Sequence, residues 1–265
     1  MAEYSGISWT DGTLNFWWGC VKVSPGCQEC YAERFSKKKE LSIWGPEKTT
    51  SRLRTTGPWS DCLKWDAKAL RSGERKRVFV QSMGDFFERH YQVNSWRDEA
   101  CLLMERFKAI DVQLLTKRPE NVLEMVPASW LQQWPATIWI GTSVENQETA
   151  ESRIPALLQV PARVRFVSVE PMLEPIRLYK KWLSKIDWVI VGGESGPRHR
   201  FFDLEWARSI RDQCGESGVP FFMKQKGGYF KNESLLDLPV DLRIREFPVI
   251  DESDLPAMHQ QGELF

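Results

Sequence analysis

The stretch GCVKVSPGCQECYAERF, residues 19–35, places Cys20, Cys27 and Cys30 within eleven positions, on a loop that also carries Ser24, Pro25 and Gly26. Thiolates are soft ligands that suit zinc or iron–sulfur clusters. A structural zinc site wants four ligands. Its fourth would come from Cys62, Cys101, Cys214 or His90, and none of these completes a second CxxC. Cys101 and Cys214 fall inside helical patterns and read as ordinary buried thiols. A cubane iron–sulfur cluster held by three cysteines leaves one iron open to a non-protein ligand. Cluster, zinc and plain thiols are the three chemistries that this spacing allows. Lys117 and Arg118, with Lys224 and Lys226 behind them, are the anion-binding candidates, because a guanidinium offers a bidentate fork to phosphate or carboxylate. The competing reading pairs them with Glu145, Glu170 or Glu194 across the same edge of the fold.

Such residues need a scaffold, and the chain supplies a regular one. Nearly continuous apolar runs recur as RVFVQSMGD, VQLLTKRP, TIWIGTSVE, RVRFVSVEP, DWVIVGGESG and PFFMKQKGG, starting near residues 77, 112, 137, 163, 187 and 220. Runs of this kind mark strands buried on both faces. Between them lie helical patterns. NSWRDEACLLMERFKAI (94–110) has Asn94 or Ser95 as its N-cap, and DLEWARSIRDQCGESG (203–218) opens on Asp203 and ends in glycines. Strand–helix alternation predicts parallel βα units with right-handed crossovers. The expected fold is a full or partial TIM-like (βα) barrel over residues 1–230, followed by an acidic C-terminal extension over 231–265. LNFWWGC is its first strand and leads into the cysteine loop. A doubly wound open sheet is the alternative. Polar residues collect at the C-terminal ends of the strands: Gln81, Ser82 and Asp85; Thr116, Lys117 and Arg118; Thr142, Ser143 and Glu145; Ser168 and Glu170; Glu194 and Ser195; Lys224, Gln225 and Lys226. In parallel α/β folds that edge binds ligands.

Bulk properties narrow the class. Hydrophobic residues at 42% and charged residues at 27% are ordinary for a globular protein. The N-terminus lacks the basic and apolar regions of a secretory signal, and no apolar run is long enough to span a bilayer. The expectation is a cytoplasmic protein whose thiols stay reduced, which favours metal binding over disulfides. Net charge is zero, yet residues 31–80 hold thirteen Lys/Arg against six Asp/Glu, and residues 232–265 hold two against eight. This asymmetry reads either as a face for an anionic partner or as two solvated faces of opposite sign.

A three-cysteine loop after the first strand of a partial barrel resembles the radical S-adenosylmethionine superfamily. More closely, GCVKVSPGCQECYAERF, VFVQSMGDFF, LLTKRPENV, SVEN, FVSVEPML and DWVIVGGESGPR resemble a phage and prophage three-cysteine family within it. The likeness to spore photoproduct lyases is more distant. The match runs from about Trp9 to Gly228. The superfamily's usual loop is C-x3-C-x2-C with an aromatic before the third cysteine. Here six residues separate Cys20 from Cys27, Glu29 precedes Cys30, and the aromatic Tyr31 follows it. The resemblance implies that Cys20, Cys27 and Cys30 ligate a 4Fe-4S cluster, and that S-adenosylmethionine chelates the open iron. An electron donor then drives its cleavage to a 5′-deoxyadenosyl radical. It also implies cofactor contacts at Gly84 and Asp85, which end the second strand, and at Ser143 and Glu145, which end the fourth. Gly192, Gly193 and Glu194 spell the superfamily's amino-binding GGE on the sixth strand, and that role is not transferred to them. Lys117, Arg118, Glu170, Glu194 and Lys224 are the catalytic candidates.

The chain ends in QGELF, residues 261–265. This resembles the peptide that bacterial replication and repair proteins insert into the sliding clamp, with Leu264 and Phe265 as apolar anchors and Gln261 bonding at the pocket rim. Together with a basic, Trp-interleaved segment over 34–77 (Trp44, Trp59, Trp65), it points toward DNA, although core packing is the usual fate of tryptophan. Three functions are therefore weighed: a radical enzyme that modifies or repairs a nucleobase, a radical enzyme on a small metabolite or peptide, and a non-catalytic metal-stabilised phage accessory protein.

Overall fold

The computed structural model describes residues 2–229 and 234–251. Its strands are β1 (Gly12–Leu14), β2 (Trp17–Trp18), β3 (Leu53–Arg54), β4 (Lys76–Val80), β5 (Ile110–Thr116), β6 (Ile138–Ser143), β7 (Arg165–Val169), β8 (Trp188–Gly192) and β9 (Phe221–Gln225). Its helices are α1 (Tyr31–Lys38), α2 (Gly57–Ser72), α3 (Tyr91–Met104), α4 (Val122–Met125), α5 (Ala128–Gln132), α6 (Gln147–Leu157), α7 (Lys180–Leu183) and α8 (Leu204–Ser217). Seven strands form one parallel sheet in the order β1-β4-β5-β6-β7-β8-β9. It curls into a half-barrel flanked by helices, so the partial form of the expected barrel is the one adopted. The order follows the chain without reversal, which excludes the doubly wound alternative. The six apolar runs read from sequence became β4 to β9.

Two local expectations need correction. LNFWWGC does not supply the first sheet strand. That strand is Gly12–Leu14, while Trp17–Trp18 turns away to pair antiparallel with Leu53–Arg54. The helix expected over 94–110 spans Tyr91–Met104 and is capped by His90, whose Nδ1 accepts from Gln92 N, rather than by Asn94 or Ser95. The α8 expectation holds: Asp203 accepts from Glu205 N, and Gly218 closes the helix in the left-handed conformation.

Period-two alternation sorts the strand residues onto two cores. Val78, Val80, Val112, Leu114, Ile138, Ile140, Val167, Val169, Val189 and Val191 pack outward in the helix-facing core. Phe79, Trp139, Phe166, Trp188, Ile190 and Phe222 face inward, joined by Trp9, with Ile7, Phe247 and Ile250 packed against them. Trp9 lies 4.8 Å from Phe79 between ring centroids, and Phe247 lies 5.3 Å from both Trp188 and Phe222. Segments from both ends of the chain thus fill the space a closed barrel would give to its missing strand. Residues 244–246 run along β9, with Met223 N donating to Ile244 O and Glu246 N to Phe221 O. Among the described residues no helix is long and apolar enough to cross a membrane.

Candidate functional site

The same alternation that buries Phe79, Trp139 and Phe166 low in the half-barrel brings Lys117, Ser143, Glu145, Ser168, Glu170 and Lys224 to its inner wall at the C-terminal strand ends. Two cavities open there. The smaller, of about 140 Å³, is lined by Cys20, Cys27, Cys30, Gln81, Gly84, Asp85 and Arg118 among others. The larger, of about 470 Å³, is lined by Tyr31, Phe79, Ser168, Glu170, Glu194 and Lys224 among others. Cys30, Phe79, Ser82, Leu115, Lys117 and Ser143 line both and join them. A bigger surface groove of about 720 Å³ borders α6, α7 and α8 and holds none of the strand-end candidates.

Each candidate has a defined place. Cys20 follows a parallel bridge between Gly19 and Gly84, so the cysteine loop is stitched to the end of β4. The three thiols are free, as are Cys62, Cys101 and Cys214, which are buried elsewhere. His90, the remaining candidate fourth zinc ligand, spends Nε2 on Thr50 O at 3.1 Å. None of these four lines the cysteine cavity. Among the described residues, no three His, Cys, Asp or Glu side chains converge on a point that one ion would fill. Ligands of a cluster bind separate irons and need not share a point. Burial pushes the Cys20 thiol up, with Glu88 and Asp85 adding to the shift, while Arg118 opposes it. Burial likewise raises Cys30.

Arg118 is the cation beside Cys20, with Nη1 3.7 Å from the sulfur. Its partner is none of the three glutamates weighed from sequence. Nη1 donates to Asp85 Oδ2 at 2.8 Å, and Nη2 to Val21 O at 2.8 Å. Asp85 also accepts from Thr116 Oγ1 at 2.6 Å, Phe87 N at 3.0 Å and Lys117 N at 3.0 Å. Burial acts to raise the Asp85 carboxyl, but Arg118 and these donors outweigh it and hold it below the usual range. With its lone pairs so occupied, Asp85 organises the strand end.

Glu145, fully buried, is a second hub. Lys117 Nζ approaches at 2.5 Å, Arg153 Nη1 at 3.1 Å, and Ser24 Oγ at 2.9 Å. Ser24 thereby tethers the cysteine loop to the end of β6. Gly26 is required beside it, since a Cβ there would lie 2.4 Å from Glu145 Cγ. Lys224 pairs with Glu170 across the larger cavity. Glu194 is held by Arg200 at 2.7 Å, and Arg200 Nη1 donates to Pro25 O at 3.0 Å. Arg198 reaches Glu29 at 2.9 Å, and Arg34 donates to Ser195 O at 2.9 Å. The segment after β8 therefore clasps the cysteine loop from the far side.

The structure brings together the cysteines, Gly84, Asp85, Lys117, Arg118, Ser143 and Glu145, with Glu170, Glu194 and Lys224 in the adjoining space. It does not gather Trp44, Trp59 and Trp65 on one exposed stripe. Trp44 lines the cysteine cavity, while Trp59 and Trp65 pack against the helix-facing core. Gln261, Leu264 and Phe265 lie outside the described residues. Sequence reading did not single out Arg153 and Arg200. Each sits on a helix or loop with nothing local to reveal its glutamate partner.

The chain belongs to the family described as protein of unknown function DUF5131, whose model matches residues 4–261. No curated protein matches it. Among solved structures, a mutant of spore photoproduct lyase is similar at 12% identity and a TM-score of 0.46, over 83% of this chain and 65% of that one. The chain thus spans just under two thirds of that protein's length.

Proposed function

We propose that this protein is an iron–sulfur radical S-adenosylmethionine enzyme that modifies or repairs a nucleobase. The observation that carries the reading is the trio of free thiols on one loop, set in the wall of a cavity at the C-terminal edge of a parallel half-barrel. The donor set fits the group: three soft ligands, an arginine beside one of them, and space where a fourth ligand would be. Cys20, Cys27 and Cys30 would hold a 4Fe-4S cluster. When bound, cluster and S-adenosylmethionine together supply reductive cleavage of the sulfonium.

The chain's own contributions are positional and electrostatic. Arg118, fixed by Asp85, sets a positive charge beside Cys20 and favours its thiolate. Ser24, Glu145 and Lys117 hold the loop against β6, and Arg200 holds it against β8. Phe79 and Leu115 give the passage between the cavities an apolar wall. A 470 Å³ cavity is of ligand-binding size. Its serines and the Glu170–Lys224 pair offer donors and acceptors for a heterocycle.

Anaerobic reconstitution with iron and sulfide tests the reading. A brown protein with equal iron and sulfide, forming 5′-deoxyadenosine once reduced, is expected, and Cys27→Ala should lose the iron. Stoichiometric zinc with no iron uptake would overturn it. Oligonucleotides should accelerate cofactor cleavage and gain a new product mass. Acceleration by small metabolites or peptides alone would move the substrate to that class.

A further inference from the structure

Gln81 follows β4 and is 2% exposed, yet neither its Oε1 nor its Nε2 has a hydrogen-bond partner. Buried amides are satisfied in nearly all folded proteins, so an orphan of this kind calls for an explanation. Its polar neighbours are already committed. Asp85 is held by Arg118 and Thr116, and Asn15 bonds to Ser82 Oγ and Met83 N. The amide lines the cavity of the three cysteines. Gly84 borders it without a side chain, since a Cβ there would lie 2.9 Å from Gln81 Nε2 and 2.8 Å from Gly19 O.

We propose that Gln81 binds the ligand that shares the cysteine cavity, and that this ligand presents an α-amino acid group to it. A carboxamide offers an acceptor and donors side by side. The complementary ligand must donate and accept within a few ångströms, as an ammonium and a carboxylate on one carbon do. Oε1 accepts from the ammonium and Nε2 donates to the carboxylate. The cysteine cavity opens past Ser82, Lys117 and Ser143 into the larger one, so a ligand whose head group meets Gln81 has room for the rest of its length. The amide of glutamine also reads an adenine edge in bidentate fashion, and the experiment separates that case.

The choice of S-adenosylmethionine as probe rests on the iron–sulfur reading above. Two measurements on Gln81→Met, with Gln81→Leu as a second variant should the first misfold, test the assignment. The first is the melting temperature of the metal-free protein. Replacing an unsatisfied buried amide by an apolar side chain of similar length should leave Tm equal or raise it by about 2–4 °C. A clear fall in both variants means that the amide has a structural partner, and overturns the proposal. The second is equilibrium binding of S-adenosylmethionine, methionine and adenosine to the reconstituted full chain. Loss of a hydrogen-bonded pair should weaken S-adenosylmethionine and methionine by about tenfold and leave adenosine unchanged. Unchanged affinity for all three overturns the proposal, and a loss confined to adenosine overturns the ligand class. A wild type that takes up no iron and binds no probe overturns the iron–sulfur reading, and the ligand class with it, while the melting arm still judges the amide by itself.

Discussion

At the scale of single residues, the site is governed by how buried charge is balanced. Glu145 is surrounded by Lys117, Arg153 and Ser24, and burial alone would push its carboxyl up. Lys117 and Arg153 overcome that and hold it below the usual carboxylate range. A depressed folded value means that the carboxylate contributes stability above its unfolded pKa, near 4.3, and that this contribution is lost as pH falls through the folded value. Glu145→Gln should therefore cost about 2–3 kcal/mol in urea denaturation at neutral pH, discounted from a fully buried pair because Lys117 reaches solvent. It should also flatten the acid limb of the stability curve. An unchanged acid limb would mean that the pair does not operate in solution.

At the scale of elements, the informative unit is the cysteine loop with its two clasps. Arg200 joins Glu194 to Pro25 O, so Arg200→Ala should free the loop without unfolding the sheet. Limited proteolysis should cut within residues 21–29 several times faster, while Tm falls by no more than about 4 °C, as for other surface-anchored segments. Cleavage at the wild-type rate would assign the loop's order to the β6 side alone. The clasps were not legible in the sequence, whereas the strands they join were. Runs such as TIWIGTSVE state their own conformation through β-branched and aromatic composition, and their polar ends mark the ligand edge. Partner choice between Arg118 and Asp85, or Arg200 and Glu194, depends on which strand ends the curl of the sheet brings together. LNFWWGC misled because its apolar run straddles two short strands, with the chain leaving the sheet after Leu14. His90 displaced Asn94 as cap because the helix begins one turn earlier, and histidine is a weaker cap signal than Asn or Ser.

At the scale of the molecule, a half-barrel must cover an inner face that a closed barrel would hide. Trp9 meets that need from the N-terminal side, 2% exposed and in contact with Phe79, Phe166 and Trp188. Trp9→Ala should cost about 3 kcal/mol, a fall in Tm of roughly 6–12 °C. The C-terminal peptide calls for a separate test. We propose that QGELF binds a sliding clamp, so removing residues 261–265 should abolish capture by the clamp and leave iron uptake intact. Retained capture would remove that link to DNA.

The packing of Phe247 against Trp188 also sets an order of events during synthesis. The outer core can assemble strand by strand as the chain emerges, because β4 pairs with β1 and each strand of β5 to β9 pairs with the one before it. The inner face has no such early closure, since Phe247 is among the last described residues to be made and Trp9 among the first. Until that final segment leaves the ribosome, Phe166, Trp188 and Phe222 lack part of their cover. A nascent chain stopped short of residue 247 is accordingly the form that chaperones should retain, and release should coincide with the emergence of Phe247.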